Sequence, residues 1–83
     1  MNRIPVIDME KTGANITRIR TKAGISVREL QLTLGFTTPQ AIYKWQQGRA
    51  LPTVDNLVAL ASVCNVRIDE ILVFEDGFQT QTA

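Results

Sequence analysis

The sequence predicts an all-α fold, and three observations support this prediction. Apolar residues recur at helical spacing along most of the chain, N-capping residues precede several of these segments, and glycine follows three of them. The 83 residues are 45% hydrophobic and 20% charged, which is typical of a folded globular chain. We therefore expect one compact domain of five short helices with a short extended N-terminal arm.

The predicted organisation is an arm or short strand over residues 1–12, a helical domain over residues 13–75 and a flexible tail over residues 76–83. The arm contains "IPVI", an apolar run that Pro5 interrupts, which is typical of an edge strand. We expect this run to pair as a short strand with "LVF" at residues 72–74, within one chain or between two chains. The tail is polar.

The first helix is predicted over residues 13–23, where Ile16, Ile19 and Ala23 share one face and Gly24 follows. The motif "SVRE" then predicts the start of a second helix, because a serine N-cap and a glutamate three residues later form a capping box. In the stretch "LQLTLGF", apolar and polar residues also alternate, as they do in a strand. We favour a helix, since the capping box and Gly35 enclose the segment.

The third helix is predicted over residues 39–47, with Thr38 as its N-cap, Pro39 in its first position and Gly48 after its end. Its outward stripe carries amides, a phenol and one cation but no acid: Gln40, Tyr43, Lys44 and Gln47. Nine residues span about 13 Å, close to the roughly 12 Å width of a DNA major groove. The alternative is an amide-rich stripe that simply faces solvent.

The fourth helix is predicted to begin after Thr53, to carry the most apolar stripe of the chain and to end near Asn65. Cys64 lies on that stripe, and we expect it to be an inert core residue. A fifth helix is predicted over residues 68–73, burying Ile68, Ile71 and Leu72.

Charge is divided unevenly along the chain. Residues 1–50 contain eight basic and three acidic residues, a net charge of +5, whereas residues 51–83 contain one basic and five acidic residues, a net charge of −4. Such polarity would orient an anionic partner at one surface. Charges scattered by chance over a solvated surface are the alternative.

The composition argues against catalysis and cofactor binding. One cysteine and no histidine exclude an intramolecular disulfide, disfavour a transition-metal site and remove the commonest general base. The acidic pairs at residues 69–70 and 75–76 are adjacent, so their side chains diverge on a helix. No run is long enough for a membrane span and the first residues lack a secretion signal. We expect a cytoplasmic protein that is not an enzyme.

Residues 15–72 resemble the DNA-binding domain of lambda-repressor and Cro-type regulators, the Xre-like helix-turn-helix family. The resemblance lies in "ITRIRTKAGISVRELQLTLGF", "AIYKWQQG", "LPTVDNLVALASVCNV" and "RIDEIL", in that order and spacing. It implies that the third helix enters the major groove of DNA while the second crosses the backbone.

The resemblance also implies roles for individual residues. Base-reading positions fall on Gln40, Tyr43 and Lys44, with Thr38 and Pro39 at the entry to the groove. Phosphate-contacting positions fall on Gln47 and Arg49, and the start of the second helix, with Ser26, Arg28 and its free N–H groups, is placed to receive another phosphate.

Four departures from the family pattern affect these assignments. Val27 replaces the glutamine that often follows the cap of the second helix, and Gln31 replaces a small alanine that faces the third. Gln46 stands where many members have glutamate. Gln31 is expected either to set the second and third helices farther apart or to need a hydrogen-bond partner. The turn "GFTT" contains one extra residue.

The functional expectation is a sequence-specific DNA-binding regulator, most simply a repressor. A single domain of this size reads few base pairs, so we expect a homodimer on a pseudo-palindromic operator, with half-sites about 34 Å apart. The acidic C-terminal part and the run at residues 4–7 are the expected interface. The alternative is a protein-binding helical module, such as the antitoxin of a toxin pair, in which the outward stripe of the third helix contacts a protein partner. Tyr43 and Trp45 would suit such a contact, although Trp45 is expected on the buried side, and an antitoxin could also bind DNA.

Overall fold

The computed structural model describes residues 4–75, and within them it contains four α-helices. A single 3₁₀ turn replaces the fifth helix that the sequence predicts, and the described chain contains no strand beyond one isolated antiparallel bridge between Ile7 and Phe74. The all-helical class is confirmed; the five-helix count is wrong. The helices are α1 (Met9–Lys22), α2 (Val27–Leu34), α3 (Gln40–Gln46) and α4 (Val54–Cys64), followed by the 3₁₀ turn Ile68–Glu70.

Helix α1 begins four residues earlier than predicted. The Asp8 carboxylate accepts a hydrogen bond of 2.8 Å from the backbone N–H of Lys11, so Asp8 is the N-cap. Residues 9–12 therefore belong to α1 and not to an extended arm. The helix ends as expected before Gly24, which adopts a φ of +75°.

Helix α2 confirms the predicted capping box and excludes the strand alternative. The Ser26 N–H donates to Glu29 Oε1 and the Glu29 N–H donates to Ser26 Oγ, each over 3.0 Å. Gly35 ends the helix in the left-handed conformation, with a φ of +76°. Helix and strand periodicity compete in this segment, and the two reciprocal cap hydrogen bonds favour the helix.

Helix α3 is seven residues long, two fewer than predicted. It starts at Gln40, with Pro39 at the cap position instead of Thr38. The Thr38 hydroxyl still accepts a long hydrogen bond of 3.4 Å from the Gln40 N–H. At the other end, Gln47 is the C-cap residue, and Gly48 follows with a φ of +73°.

The core lies between all four helices. Phe36, from the turn before α3, packs edge-on against the Trp45 ring with the ring centroids 5.8 Å apart, a favourable aromatic geometry. Cys64 is buried, as predicted. The buried hydrophobic residues are Ile16, Ile19, Leu30, Ile42, Trp45, Leu60, Ala61, Cys64 and Ile71.

The segment after α4 does not form a fifth helix because α1 captures its backbone groups. Asn15 Nδ2 donates to the carbonyl oxygens of Glu70 and Ile71 over 2.7 and 2.9 Å. The Thr12 hydroxyl accepts from the Val73 N–H over 2.9 Å. Ile71 is buried as expected, whereas Ile68 is 37% exposed, contrary to the prediction.

The predicted pairing between the N-terminal run and residues 72–74 occurs within one chain. The Asp8 N–H donates to the Val73 carbonyl over 2.7 Å, and the Glu75 N–H donates to the Val6 carbonyl over 2.8 Å. The pairing amounts to a single bridge, because the chain enters α1 immediately afterwards. The predicted tail at residues 76–83 lies outside the described residues. No helix within residues 4–75 has the length and hydropathy needed to cross a membrane.

Candidate nucleic-acid interface

The outer edge of α3 is exposed, as the sequence predicts. Gln40, Tyr43, Lys44 and Gln47 are all exposed and share one face of the helix at i, i+3, i+4 and i+7. The opposite face packs inward: Ile42 is fully buried and Trp45 is 4% exposed. The helix therefore presents two amides, a phenol and an ammonium group to solvent from a firmly packed base.

Helix α3 rests on α1 through direct backbone contact. A Cβ atom added to Gly13 of α1 would overlap the Trp45 carbonyl oxygen and lie 2.6 Å from that of Gln46. A Cβ on Gly48 would lie 2.8 Å from the Glu10 Cα. Such distances leave no room for side chains between the two segments. The end of α3 is thereby held at a fixed position on α1.

The longer turn between α2 and α3 has its own polar support. Gln31 stands where the family often has alanine, and its Nε2 donates to the Phe36 carbonyl over 3.3 Å. This hydrogen bond supplies the partner that Gln31 needs in order to be half-buried. The hydrogen bond between Gln31 and Phe36 connects α2 to the turn. Because Phe36 packs on Trp45, it also connects α2 to the aromatic pair that supports α3.

The start of α2 has fewer free hydrogen-bond donors than the sequence indicates. The Ser26 N–H is occupied by Glu29, so it is not a free donor for a phosphate. The N–H groups of Val27 and Arg28 lie in the first turn, where no helical carbonyl faces them, and the Arg28 side chain is exposed. Hydrogen bonds from the Ser26 backbone and hydroxyl hold the pKa of Glu29 below its ordinary value.

The remaining predicted site residues lie at the two ends of α3. Thr38 is exposed and Pro39 is half-buried at its start, and Arg49 is exposed just beyond its end. The Arg49 N–H donates to the Lys44 carbonyl over 2.9 Å, which fixes the chain where α3 gives way to the following loop. Eight of the nine predicted site residues are exposed.

Sequence reasoning missed one residue that contacts this region. Arg20 of α1 donates from Nε to Gln46 Oε1 over 3.0 Å and from Nη1 to the Ile25 carbonyl over 2.8 Å. The sequence signal that points to this contact is the position of Arg20 beside Ile16 and Ile19, at the border of the apolar stripe of α1. A cation at such a border packs its stem inward and can direct its head to a neighbouring element.

The electrostatic setting of the helix pair is basic. Residues 26–49 contain three basic residues, Arg28, Lys44 and Arg49, and one acidic residue, Glu29. Within residues 4–75, no group of three or more acidic or cysteine side chains is placed to hold a metal ion. Burial raises the pKa of the Cys64 thiol. The positive charge of Arg20 lowers the same pKa by a smaller amount.

This geometry defines a class of protein. Two short helices joined by a tight turn, the second with an exposed polar edge and both packed on flanking helices, form a helix-turn-helix domain. The family model HTH_3, described as helix-turn-helix, matches residues 16–71. The chain belongs to this family of Xre-type, lambda-repressor-like helix-turn-helix proteins.

Solved structures of related fold agree with this assignment. The restriction-modification controller protein C.AhdI from Aeromonas hydrophila aligns with a TM-score of 0.68 and 22% identity over 77% of this chain and 96% of its own. The clp gene regulator ClgR from C. glutamicum aligns with a TM-score of 0.65 and 19% identity over 76% of this chain and 80% of its own.

A third structure is the DNA-binding domain of BldD, with a TM-score of 0.65 and 24% identity over 78% of this chain and 93% of its own. No match is found among curated protein sequences. At these identities, the structural likenesses establish the fold.

Proposed function

We propose that this protein binds double-stranded DNA in a sequence-specific manner and regulates transcription, with α3 in the major groove. The observation that carries the proposal is the exposed, acid-free edge of α3 on a base that packs rigidly against α1. Seven helical residues span about 10 Å, which fits within a groove roughly 12 Å wide. A carboxylate on this edge would repel phosphate, and the edge has none.

Three side chains on this edge have the chemistry to read bases. Gln40 can pair in a bidentate manner with adenine, and Lys44 can donate to the O6 and N7 acceptors of guanine. Tyr43 can donate to a phosphate or pack on a thymine methyl group. Thr38 and Pro39, at the start of α3, would face the entry to the groove.

Four further residues are proposed to contact phosphates and so to fix the register of the domain on DNA. Gln47 and Arg49 lie where α3 ends, and Ser26 and Arg28 lie where α2 begins. At the start of α2, the donors we propose are the Ser26 hydroxyl, the Arg28 side chain and the N–H groups of the first turn. The Ser26 N–H is left out because Glu29 occupies it. The Ser26 hydroxyl also hydrogen-bonds to Glu29, so it would have to turn away from that carboxylate to donate to a phosphate.

The oligomer we propose is a homodimer acting as a repressor in the cytoplasm, without catalytic activity. Two copies would place two recognition helices on half-sites about 34 Å apart. The C-terminal part and the run at residues 4–7 are the proposed interface, and Ile4 and Val6 in that run are exposed. Two of the related structures carry regulatory names, a controller protein and a gene regulator, which supports a regulatory role but does not bear on repression or on the dimer.

The alternative of a protein-binding module, such as an antitoxin, has less support. It depends on aromatic residues at the surface, and Trp45 is buried against Phe36. Tyr43 is 43% exposed, which leaves a single aromatic contact for a protein partner.

Selection of bound fragments from random duplex DNA tests the proposed function. We expect enrichment of a pseudo-palindromic site whose half-sites are centred about 10 base pairs apart. A pool that remains random after repeated rounds, with no duplex binding at low ionic strength, would refute the proposal. Enrichment of a single half-site would retain DNA recognition and contradict the dimer.

A further inference from the structure

A groove lies between the end of α1 and the end of α4, away from the outer edge of α3. It has a volume of about 530 Å³, and the 3₁₀ turn forms part of its wall. Lys22, which lines the groove, follows Gly13 by nine residues, so the two residues project from opposite sides of α1. Because Gly13 contacts the backbone of α3, the groove lies on the far side of α1 from that helix.

The floor of the groove is apolar. Ile19 and Cys64 are 4% and 6% exposed, and Val63 and Val66 are partly buried against the same core. Ala23 also lines this floor. Small-molecule sites in proteins have volumes of roughly 300–1,000 Å³ and combine an apolar lining with a few polar groups that fix orientation. The groove therefore has the size and the lining to hold a ligand with a short hydrocarbon chain.

Two exposed cations, Arg18 and Lys22, lie at the rim of the groove. They are four residues apart on α1, so their side chains are neighbours on its surface. Arg18 donates from Nε and Nη2 to Asn15 Oδ1 over 3.0 and 2.8 Å, which holds the guanidinium against a neutral acceptor. Among the described residues, neither Arg18 nor Lys22 forms an ion pair. Both positive charges are available to an anion.

One acidic residue, Glu70 of the 3₁₀ turn, also lines the described part of this groove. Its Oε2 accepts a hydrogen bond of 2.7 Å from the Arg67 N–H, so the carboxylate caps its own turn. Two basic residues and one acidic residue give the lining a net charge of +1. This balance favours a ligand with a single negative charge.

We propose that the groove binds a small amphipathic monocarboxylate. Its carboxylate group lies at Arg18 and Lys22, where charge-assisted hydrogen bonds are the strongest that a carboxylate can accept. Its hydrocarbon chain lies on the apolar floor and is thereby removed from water. The inference does not depend on DNA recognition, because the groove and α3 lie on opposite sides of α1.

The test is a titration of the isotope-labelled full-length protein with octanoate, without DNA, followed by amide NMR shifts. Octanol keeps the chain without the charge, and acetate keeps the charge without the chain. We expect octanoate to saturate with a Kd on the order of 1 mM, as for a ligand of about ten non-hydrogen atoms. The largest shifts should occur at Lys22, Val63 and Val66. Octanol and acetate should each bind more weakly by about threefold or more.

Charge variants test the rim. Lys22→Met should weaken octanoate binding about threefold, as for the loss of an exposed ion pair. Glu70→Gln keeps an oxygen for the Arg67 N–H but removes the opposing charge, so it should strengthen octanoate binding by a similar factor. Lys11→Met is the control, because Lys11 lies two turns before Arg18 on α1 and outside the groove, and its loss should leave the affinity unchanged.

Thermal unfolding of each variant establishes that it is folded at the titration temperature. Should Lys22→Met fail to fold, Arg18→Met removes the other cation, with the same expected loss. Shifts that rise linearly with octanoate, or equal affinities for octanoate and octanol, would overturn the inference. An unchanged affinity in both Lys22→Met and Glu70→Gln would also overturn it. Because the titration contains no DNA, each of these results leaves the proposed function standing.

Discussion

Gly13 of α1 lies directly against the backbone of Trp45 in α3, with no space for a side chain between them. A Cβ atom on Gly13 would overlap the Trp45 carbonyl oxygen and lie 2.8 Å from the N of Gly48. Backbone-to-backbone packing of this kind resists deformation more than contact through flexible side chains does. We attribute the fixed position of α3 on the domain to this contact.

Gly13→Ala should destabilise the domain despite the higher helix propensity of alanine. Propensity alone would favour alanine by about 1 kcal/mol, but the added methyl group meets backbone atoms that cannot rotate away. We expect a net loss of about 2 to 3 kcal/mol in the free energy of unfolding, as for overpacked cores. Urea denaturation of both proteins measures it.

Gly24→Ala is the matched control for this steric effect. Gly24 has a φ of +75° and nothing within 4 Å of an added Cβ, so its replacement incurs backbone strain of about 1 kcal/mol and no clash. An equal or smaller loss for Gly13→Ala than for Gly24→Ala would contradict the proposed close contact between α1 and α3.

Thr12→Val tests how α1 holds the C-terminal segment. The Thr12 hydroxyl is fully buried and accepts from the Val73 N–H over 2.9 Å. Valine has a similar shape but no acceptor, so we expect a loss of about 1 to 3 kcal/mol from the unpaired N–H. Thermal unfolding should show no comparable loss for Thr21→Val, since Thr21 is exposed. Similar losses in both variants would contradict this role.

Glu29→Gln tests the capping box through the pH dependence of stability. The pKa of Glu29 is lowered by hydrogen bonds from Ser26. Its charged form therefore stabilises the fold fully above the unfolded pKa of about 4.3, and this contribution is lost as the pH falls through the folded pKa. We expect the variant to be less stable at pH 7 and the two stability curves to converge in acid. Stability curves that stay parallel over the whole pH range would contradict the role of the Glu29 carboxylate in the capping box.

Lys44→Ala and Arg49→Ala should differ in how they affect DNA binding. Lys44 is proposed to read a base, so its loss should weaken binding to the selected site by about 1 to 3 kcal/mol and relax the preference at one base pair. Arg49 is proposed to contact a phosphate, so its loss should weaken all duplexes alike and reduce the salt slope by about one. Equal effects on every sequence from both variants would exclude base reading by Lys44.

Much of the fold follows from local sequence signals. The capping box at Ser26 and Glu29 and the left-handed positions at Gly35 and Asn65 each fix a helix end through neighbouring residues. The outward edge of α3 likewise follows from helical periodicity, because its apolar partners have no other place to pack.

The features that the sequence did not reveal depend on long-range contacts. Residues 68–73 carry helical periodicity, but Asn15 and Thr12 take up their backbone groups from the other end of the chain. The link from Arg20 to Gln46 joins residues 26 positions apart. No local sequence pattern marks any of these long-range contacts, so helical periodicity could not predict them. The site was predictable as a face of one helix, but the contacts that position that face were not.

The most direct test of the central claim is an NMR titration of the isotope-labelled protein with its selected duplex. We expect the largest amide shift changes in α3 and at the start of α2, with Lys44 and Gln40 responding differently to a shuffled duplex. Small, uniform changes across the chain, or changes centred on the exposed Val54 and Val58 of α4, would contradict the claim that the outer edge of α3 reads DNA.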